Sequence, residues 1–237
     1  MDSFETFPEQ DEAKALLRAA LAEGPAHAYL FHGPKGVGKR RAAVAFAAEL
    51  LGERDRVIRR AHPDLYVVEP LGDQIRIDPI RALRRDLHMR PFEADRRVYL
   101  VFGADLLNED AADALLKDLE EPPPYAVIVL VADDVGPLAP TVRSRCQHVS
   151  FRRLSQRAIK AHLSSRGIAG DKLEALARVA GGRLDRAERL LDAEAEERRA
   201  QVIALARSVY LAPEFDPSAA SQVVTQLAQA RGAEARA

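Results

Sequence analysis

At 237 residues, 47% of them hydrophobic and 30% charged, the chain is long enough to bury a sizeable core and too apolar to be read as disordered. A formal net charge of −1 removes any global demand for nucleic acid or an acidic surface as partner. The single cysteine, Cys146, excludes an internal disulfide framework and a thiolate zinc cluster within one chain. No apolar run reaches membrane-spanning length and the polar start MDSFETFPEQ is unlike a signal peptide, so a cytoplasmic protein is the expectation.

Taken in chain order, DEAKALLRAALAEG carries apolar residues at helical spacing and stops at Gly24. HAYLF is a short apolar strand running into a glycine-rich loop, and KRRAAVAFAAELL, from Lys39 to Leu51, is a strong helix. A basic, irregular segment follows, then the strand-like DLYVVEP. The arginines at 54, 56, 59 and 60, and again at 81, 84 and 85, read as solvated helix faces, with a binding patch as the competing reading. DPIRALRRDLHM is a helix for which Asp78 is the expected N-cap and Pro79 the first helical position. RRVYLVF, apolar from Val98 to Phe102, has the pattern of a strand buried on both faces.

NEDAADALLKDLEEPP is a helix capped by Asn108 and stopped by Pro122, with Ala111, Ala112, Leu115, Leu116 and Leu119 on one face. YAVIVLVA is a second fully buried strand and QHVSF a third candidate. Strands alternating with helices predict an α/β fold with a parallel sheet flanked by helices. After Phe151 strands vanish, and SQRAIKAHLSSRG, DKLEALARVAGG, LDRAERLL and EAEERRAQVIALARSVYL follow as helices. The domain boundary is therefore expected near Arg152 to Leu154, and the tail from DPSAASQVV reads as one more helix with a fraying end.

The stretch FHGPKGVGKRRAA holds a phosphate-binding pattern, GxxxxGK, from Gly33 to Lys39. Gly33, Gly36 and Gly38 let backbone N–H groups curl around phosphate oxygens, the following helix offers its positive N-terminus, and Lys39 reaches the terminal phosphates. A chance glycine turn between strand and helix explains the spaced Lys39 poorly. Hydrolysis also needs magnesium, held by a hydroxyl after the lysine and by an aspartate at the end of another strand. Arg40 stands in the hydroxyl slot, and VYLVF ends in Phe102 and Gly103, with Asp105 the first carboxylate afterwards. With both metal-positioning features missing, this chain is not expected to hydrolyse nucleotide.

ALLKDLEEPP at 114–123 followed by PTVRSRC at 140–146, with HAYLFHGPKGVGK at 27–39 and HPD at 62–64, closely resembles bacterial clamp loaders. These AAA+ proteins open the sliding clamp of the replicative DNA polymerase. The resemblance runs from about Phe7 to the last helices before the tail. It implies a P-loop AAA+ domain over 1–153, a small all-α lid domain over 154–192, and over 193–237 the first helices of a helical collar domain, apparently incomplete. Within the family, the degenerate metal site is similar to that of delta-prime members, stators that complete the ring without hydrolysing ATP. By that resemblance Arg145 projects into a neighbouring subunit's ATP site, where an arginine supplied in trans neutralises charge on the transferring phosphoryl group. A surface arginine after a short helix is the competing reading.

GGRLDRAERL resembles the lid's sensor segment and would make Arg186 the residue facing nucleotide phosphates. An ordinary helix-surface arginine stands level with that reading, since Arg183 and Arg189 are neighbours. Gly33, Gly36, Gly38, Lys39, Arg40 and Arg186 together would form a weak or vestigial site for ATP or ADP. The implied partners are the ATPase and delta-like subunits of the DNA polymerase III holoenzyme, and through them the sliding clamp and primer-template DNA, with no membrane. Two departures from the family stand out. Many relatives carry a cysteine zinc module before HPD, but Gly52 to Ala61 has no cysteine, so no zinc is expected. Where relatives place a phosphate-sensing threonine or asparagine, this chain has Asp133 and Asp134, which would repel a phosphate. The alternatives are an active clamp-loader ATPase using Asp105 or Glu109 as an unorthodox metal ligand, and a different AAA+ protein of DNA repair or helicase loading.

Overall fold

Five parallel strands carry the fold in a computed structural model, which describes residues 3–191 together with 203, 204 and 221. They are β1 (Ala28–His32), β2 (Leu65–Val68), β3 (Arg97–Phe102), β4 (Ala126–Ala132) and β5 (Gln147–Ser150), in the order β2-β3-β4-β1-β5. The helices are α1 (Asp11–Glu23), α2 (Lys39–Leu51), α3 (Arg54–Ile58), α4 (Ile77–Leu87), α5 (Glu109–Glu120), α6 (Pro140–Arg143), α7 (Gln156–Ser164), α8 (Gly170–Ala180) and α9 (Leu184–Arg189). The chain divides into two compact units, one ending at Asp185 and the other beginning at Arg186. The expected helix EAEERRAQVIALARSVYL and the expected collar segment lie outside the described residues, apart from positions 203, 204 and 221.

The two-residue period of a strand sorts the core into two layers. Tyr29, Phe31, Leu100, Phe102 and Val129 point to the side of α1 and α2, where they meet Leu17, Phe46 and Phe151. Leu30, Tyr99, Val101, Ile128 and Leu130 point the other way, onto Leu83 of α4 and Leu115 and Leu119 of α5. Every residue of β3 and β4 is buried, as expected of parallel strands covered on both faces. Because β1 lies between β4 and β5, the loop that follows it opens among the carboxyl ends of the strands, where α/β sheets bind their ligands.

Asn108 caps α5 as the sequence suggests, its side chain accepting from the Ala111 N–H at 3.0 Å. Asp78 does not cap α4. The helix begins at Ile77 with Arg76 as its extended N-cap, because Ile75 is tied to the segment after β3 (Ile75 N–H to Leu106 O at 2.8 Å, Asn108 N–H to Ile75 O at 3.1 Å). Pro79 then sits in the first turn, where no intrahelical N–H partner is lost.

HPD proves to be a structural lock. His62 Nδ1 accepts from the Asp64 N–H at 3.1 Å, and the fully buried Asp64 carboxylate accepts from the N–H groups of Phe92 (2.7 Å), Glu93 (2.9 Å) and Ala94 (2.9 Å). It thereby fixes the loop leading into β3. Burial on its own raises the Asp64 pKa, but the three N–H donors and the nearby Arg97 outweigh it and hold the carboxyl below its ordinary value. A depressed native pKa gives stability that is complete above the unfolded value of about 4 and drains away as pH falls through the native value. Asp64→Asn should cost roughly 3 kcal/mol at neutral pH and flatten this acid dependence. Urea unfolding at pH 7 and in steps below pH 4 reads both effects, and an unchanged acid slope would contradict this role.

Candidate functional site

The loop between β1 and α2 has the backbone that a phosphate cradle needs. Gly33 (φ 136°) lies so close to the Phe151 carbonyl, next to β5, that a Cβ would overlap it. Gly36 (φ 77°) is enclosed in the same way by the side chain of Asp185. Both positions combine a left-handed φ with no room, so only glycine fits. Gly38 (φ 104°) leads directly into α2, which begins at Lys39.

Lys39 is 4% exposed, and its ammonium is held inside the protein. Nζ donates to the carbonyls of Gly33 (2.5 Å) and Pro34 (2.7 Å) and pairs with Asp133 Oδ1 at 2.8 Å. Asp133 follows β4 directly, and its carboxylate neutralises the ammonium that the loop pattern offers to a phosphate. The sequence marks Asp133 as hostile to phosphate but does not reveal that it engages Lys39. Burial first, then the nearby His148 and Lys39, push His32 at the end of β1 below its ordinary pKa and favour the neutral ring beside the loop.

Gly36 is covered from the segment before α9. Its carbonyl accepts the Leu184 N–H at 2.7 Å, and Arg183 clasps Asp185 through Nε (3.1 Å) and Nη2 (2.8 Å) directly over it. The residues over Gly36 are Arg183 and Asp185, in the same stretch in which the sequence singled out Arg186. Arg186 lies on α9 as the first residue of the second unit. The alternation of acid and base in GGRLDRAERL carries no cue to choose between them.

The donors for magnesium do not fit. The Arg40 guanidinium lies 4.1 Å from the centroid of the Phe102 ring at the end of β3 and pairs with the Glu69 carboxylate just after β2. Arg60 Nη2 shares that carboxylate at 2.8 Å. A guanidinium and a phenyl ring thus face each other where a hydroxyl and a carboxylate are needed, and neither offers an oxygen to a cation. Asp105, the alternative ligand, uses Oδ2 to accept the Asp134 N–H at 3.3 Å, and Glu109 opens α5 in its first turn.

LEEPP and SRC come together at the other end of α5. Arg145 donates through Nη1 to the Thr141 carbonyl at 2.8 Å and pairs through Nη2 with Glu120, the last residue of α5. Next to it, Cys146 is buried with Sγ 3.4 Å from the Val142 carbonyl, and burial pushes its pKa up to about 12, which makes it an inert anchor. The short α6 therefore pins SRC by its cysteine and leaves the arginine side chain a third exposed.

Similarity to known proteins follows the same lines. Residues 9–155 match the family model of DNA polymerase III, delta subunit. The chain is 32% identical over 204 residues to the DNA polymerase III subunit delta' of Bacillus subtilis, covering 81% of this chain and 62% of the relative. It is 34% identical over 196 residues to the subunit delta' of Pseudomonas aeruginosa, covering 75% and 60%. The chain thus spans about three fifths of the length of these relatives. Among solved structures, a DNA polymerase III gamma subunit-related protein from Thermotoga maritima shares the fold with a TM-score of 0.58, at 24% identity over 81% of this chain and 62% of that one.

Gly36→Ala should force Asp185 off the loop and strain a left-handed backbone, for a loss of roughly 2 kcal/mol. Scanning calorimetry should show the unfolding midpoint lowered by several degrees. An unaltered midpoint would mean that the contact between Gly36 and the Arg183–Asp185 pair carries no stability.

Proposed function

This chain belongs to the DNA polymerase III delta-subunit family, and on that premise we propose that it is a delta-prime-like stator of a clamp loader in the DNA polymerase III holoenzyme, in the cytoplasm. Its partners would be ATPase and delta-like subunits and, through them, the sliding clamp and primer-template DNA. The observation that carries the non-hydrolysing part is the contact between Arg40 and Phe102, which fills both metal-binding positions at once. The loop is kept as a packing device, with Asp133 neutralising Lys39 and the Arg183–Asp185 pair covering Gly36. Any binding of ATP or ADP there is weak, because a phosphate would have to displace a carboxylate already in contact with the lysine.

The active group under this reading is Arg145, acting on a neighbour's nucleotide. Its guanidinium would leave Glu120, donate to oxygens of the transferring phosphoryl group, and offset the charge that develops as the bond to the leaving group breaks. Glu120 keeps the arginine extended and neutralised until the neighbour's phosphate competes for it. The alternative of an active ATPase is supported less well, since Asp105 is engaged by the Asp134 N–H.

Arg145→Ala should leave this chain folded and lower ATP turnover of the assembled complex by on the order of 10³. A steady-state phosphate-release assay reads this, and unchanged turnover would sink the trans role. Arg40→Thr alone should give the isolated chain no magnesium-dependent turnover, because Phe102 still supplies no carboxylate. Recovery of hydrolysis in that single variant would show that the second metal ligand lies elsewhere.

A further inference from the structure

A cavity of about 620 Å³ opens on the flank of α2, and neither Lys39 nor Arg145 lines it. Its walls come from the turn at Ser3–Thr6, from α2 and α3, from β2 and β3, and from the end of α7 with the residues after it. The floor is apolar: Val44, Leu65 and Val67 are half-buried, and Val57, Leu100 and Phe102 lie beneath them. At the mouth, Ile58 is 54% exposed. Five arginines, Arg40, Arg41, Arg54, Arg60 and Arg166, line it, Arg41 and Arg166 having further partners of their own, and among the described residues Glu5 is the carboxylate in the lining. Arg40 and Arg60 share one further acid, Glu69. On a chain of net charge −1, this is a local concentration of positive charge over apolar surface. It also lies against β2, the edge strand of the sheet among the described residues.

We infer that this cavity docks an acidic segment of a partner subunit that carries an apolar side chain. An apolar anchor would fill the floor while flanking carboxylates meet the arginine rim, the usual anatomy of an interface hot spot. Arginine suits the rim because its planar fork pairs two-pronged with carboxylates and its weak hydration lowers the cost of burying it. The volume accommodates one or two large side chains rather than a whole helix face. The arginines stand on α2, on α3 and in the segments after α3 and α7, which fits an extended segment with acids on both sides of its anchor better than one compact anion. Of the basic run at 54–60, which reads in sequence as a solvated face, Arg54 and Arg60 line this site, while Arg56 pairs with Glu53 and Glu93.

The inference rests on the assembly proposed above, and the experiment separates the two. The full-length chain carrying p-benzoylphenylalanine in place of Ile58 is assembled with the other clamp-loader subunits of its own source, assembly is checked by co-elution, and the complex is irradiated. The expected result is a cross-link that mass spectrometry maps to a partner segment with an apolar residue flanked by acids. Arg54→Glu should lower its yield about tenfold, Arg54→Lys should restore most of it, and higher salt should weaken it. Val67→Asp, which places a charge on the floor, should abolish it, with the unfolding midpoint of each variant confirming that it folds. Assembly without a cross-link, a cross-link to a non-acidic segment, or a yield indifferent to Arg54→Glu would overturn the inference alone. So would protection of the position by ATP that is lost in Arg54→Glu, since the ligand would then be a nucleotide. Failure to assemble would sink this inference together with the function.

Discussion

A buried ammonium must find an anion, and the whole neighbourhood of the β1–α2 loop follows from how Lys39 finds one. With only 4% of its surface exposed, Lys39 cannot rely on water, and two loop carbonyls satisfy its protons without neutralising its charge. Asp133 does that from the end of β4, and the pair ties together two adjacent strands through their carboxyl ends. The same residues that would make a phosphate cradle productive are thus committed to holding the chain's own structure.

The second consequence concerns the metal. Arg40 and Phe102 are far apart in sequence, and each by itself reads as the loss of a ligand. In space they are one interaction, a guanidinium on the face of a ring, flanked by Glu69. A cation–π pair in place of a hydroxyl and a carboxylate offers no oxygen to a cation, and Glu69 balances the charge of the half-exposed guanidinium. Under the proposed reading, that coupling suits a chain that does not hydrolyse nucleotide, and it moves attention to Arg145. There the arrangement is reversed: Cys146 is fixed in the core while the arginine is held at the surface by Glu120.

The arginine-rimmed cavity extends the same logic to assembly. Arg40 faces both regions, since it stacks on Phe102 and also lines the cavity. A stator of the proposed kind acts through contacts, and two surfaces that could serve it are the Arg145–Glu120 ion pair and the arginine rim over apolar surface beside β2.

Sequence by itself determined the layers of this protein. Continuous apolar runs predicted β3 and β4, the Asn108 cap and the proline stop framed α5, and GxxxxGK placed a loop between β1 and α2, because burial, capping and tight turns act over a few residues. It also shows Arg40 where a hydroxyl and Phe102 and Gly103 where a carboxylate would be expected, which is a matter of residue chemistry at known spacing. Only the tertiary structure decided what replaced them. Lys39 with Asp133, Arg40 with Phe102, Gly36 with Asp185 and Glu120 with Arg145 each join residues from different elements. Even the start of α4, displaced from Asp78, was set by the distant hold of Leu106 and Asn108 on Ile75. Charge pairing and close approach depend on distances across the fold, and a linear pattern carries no measure of those.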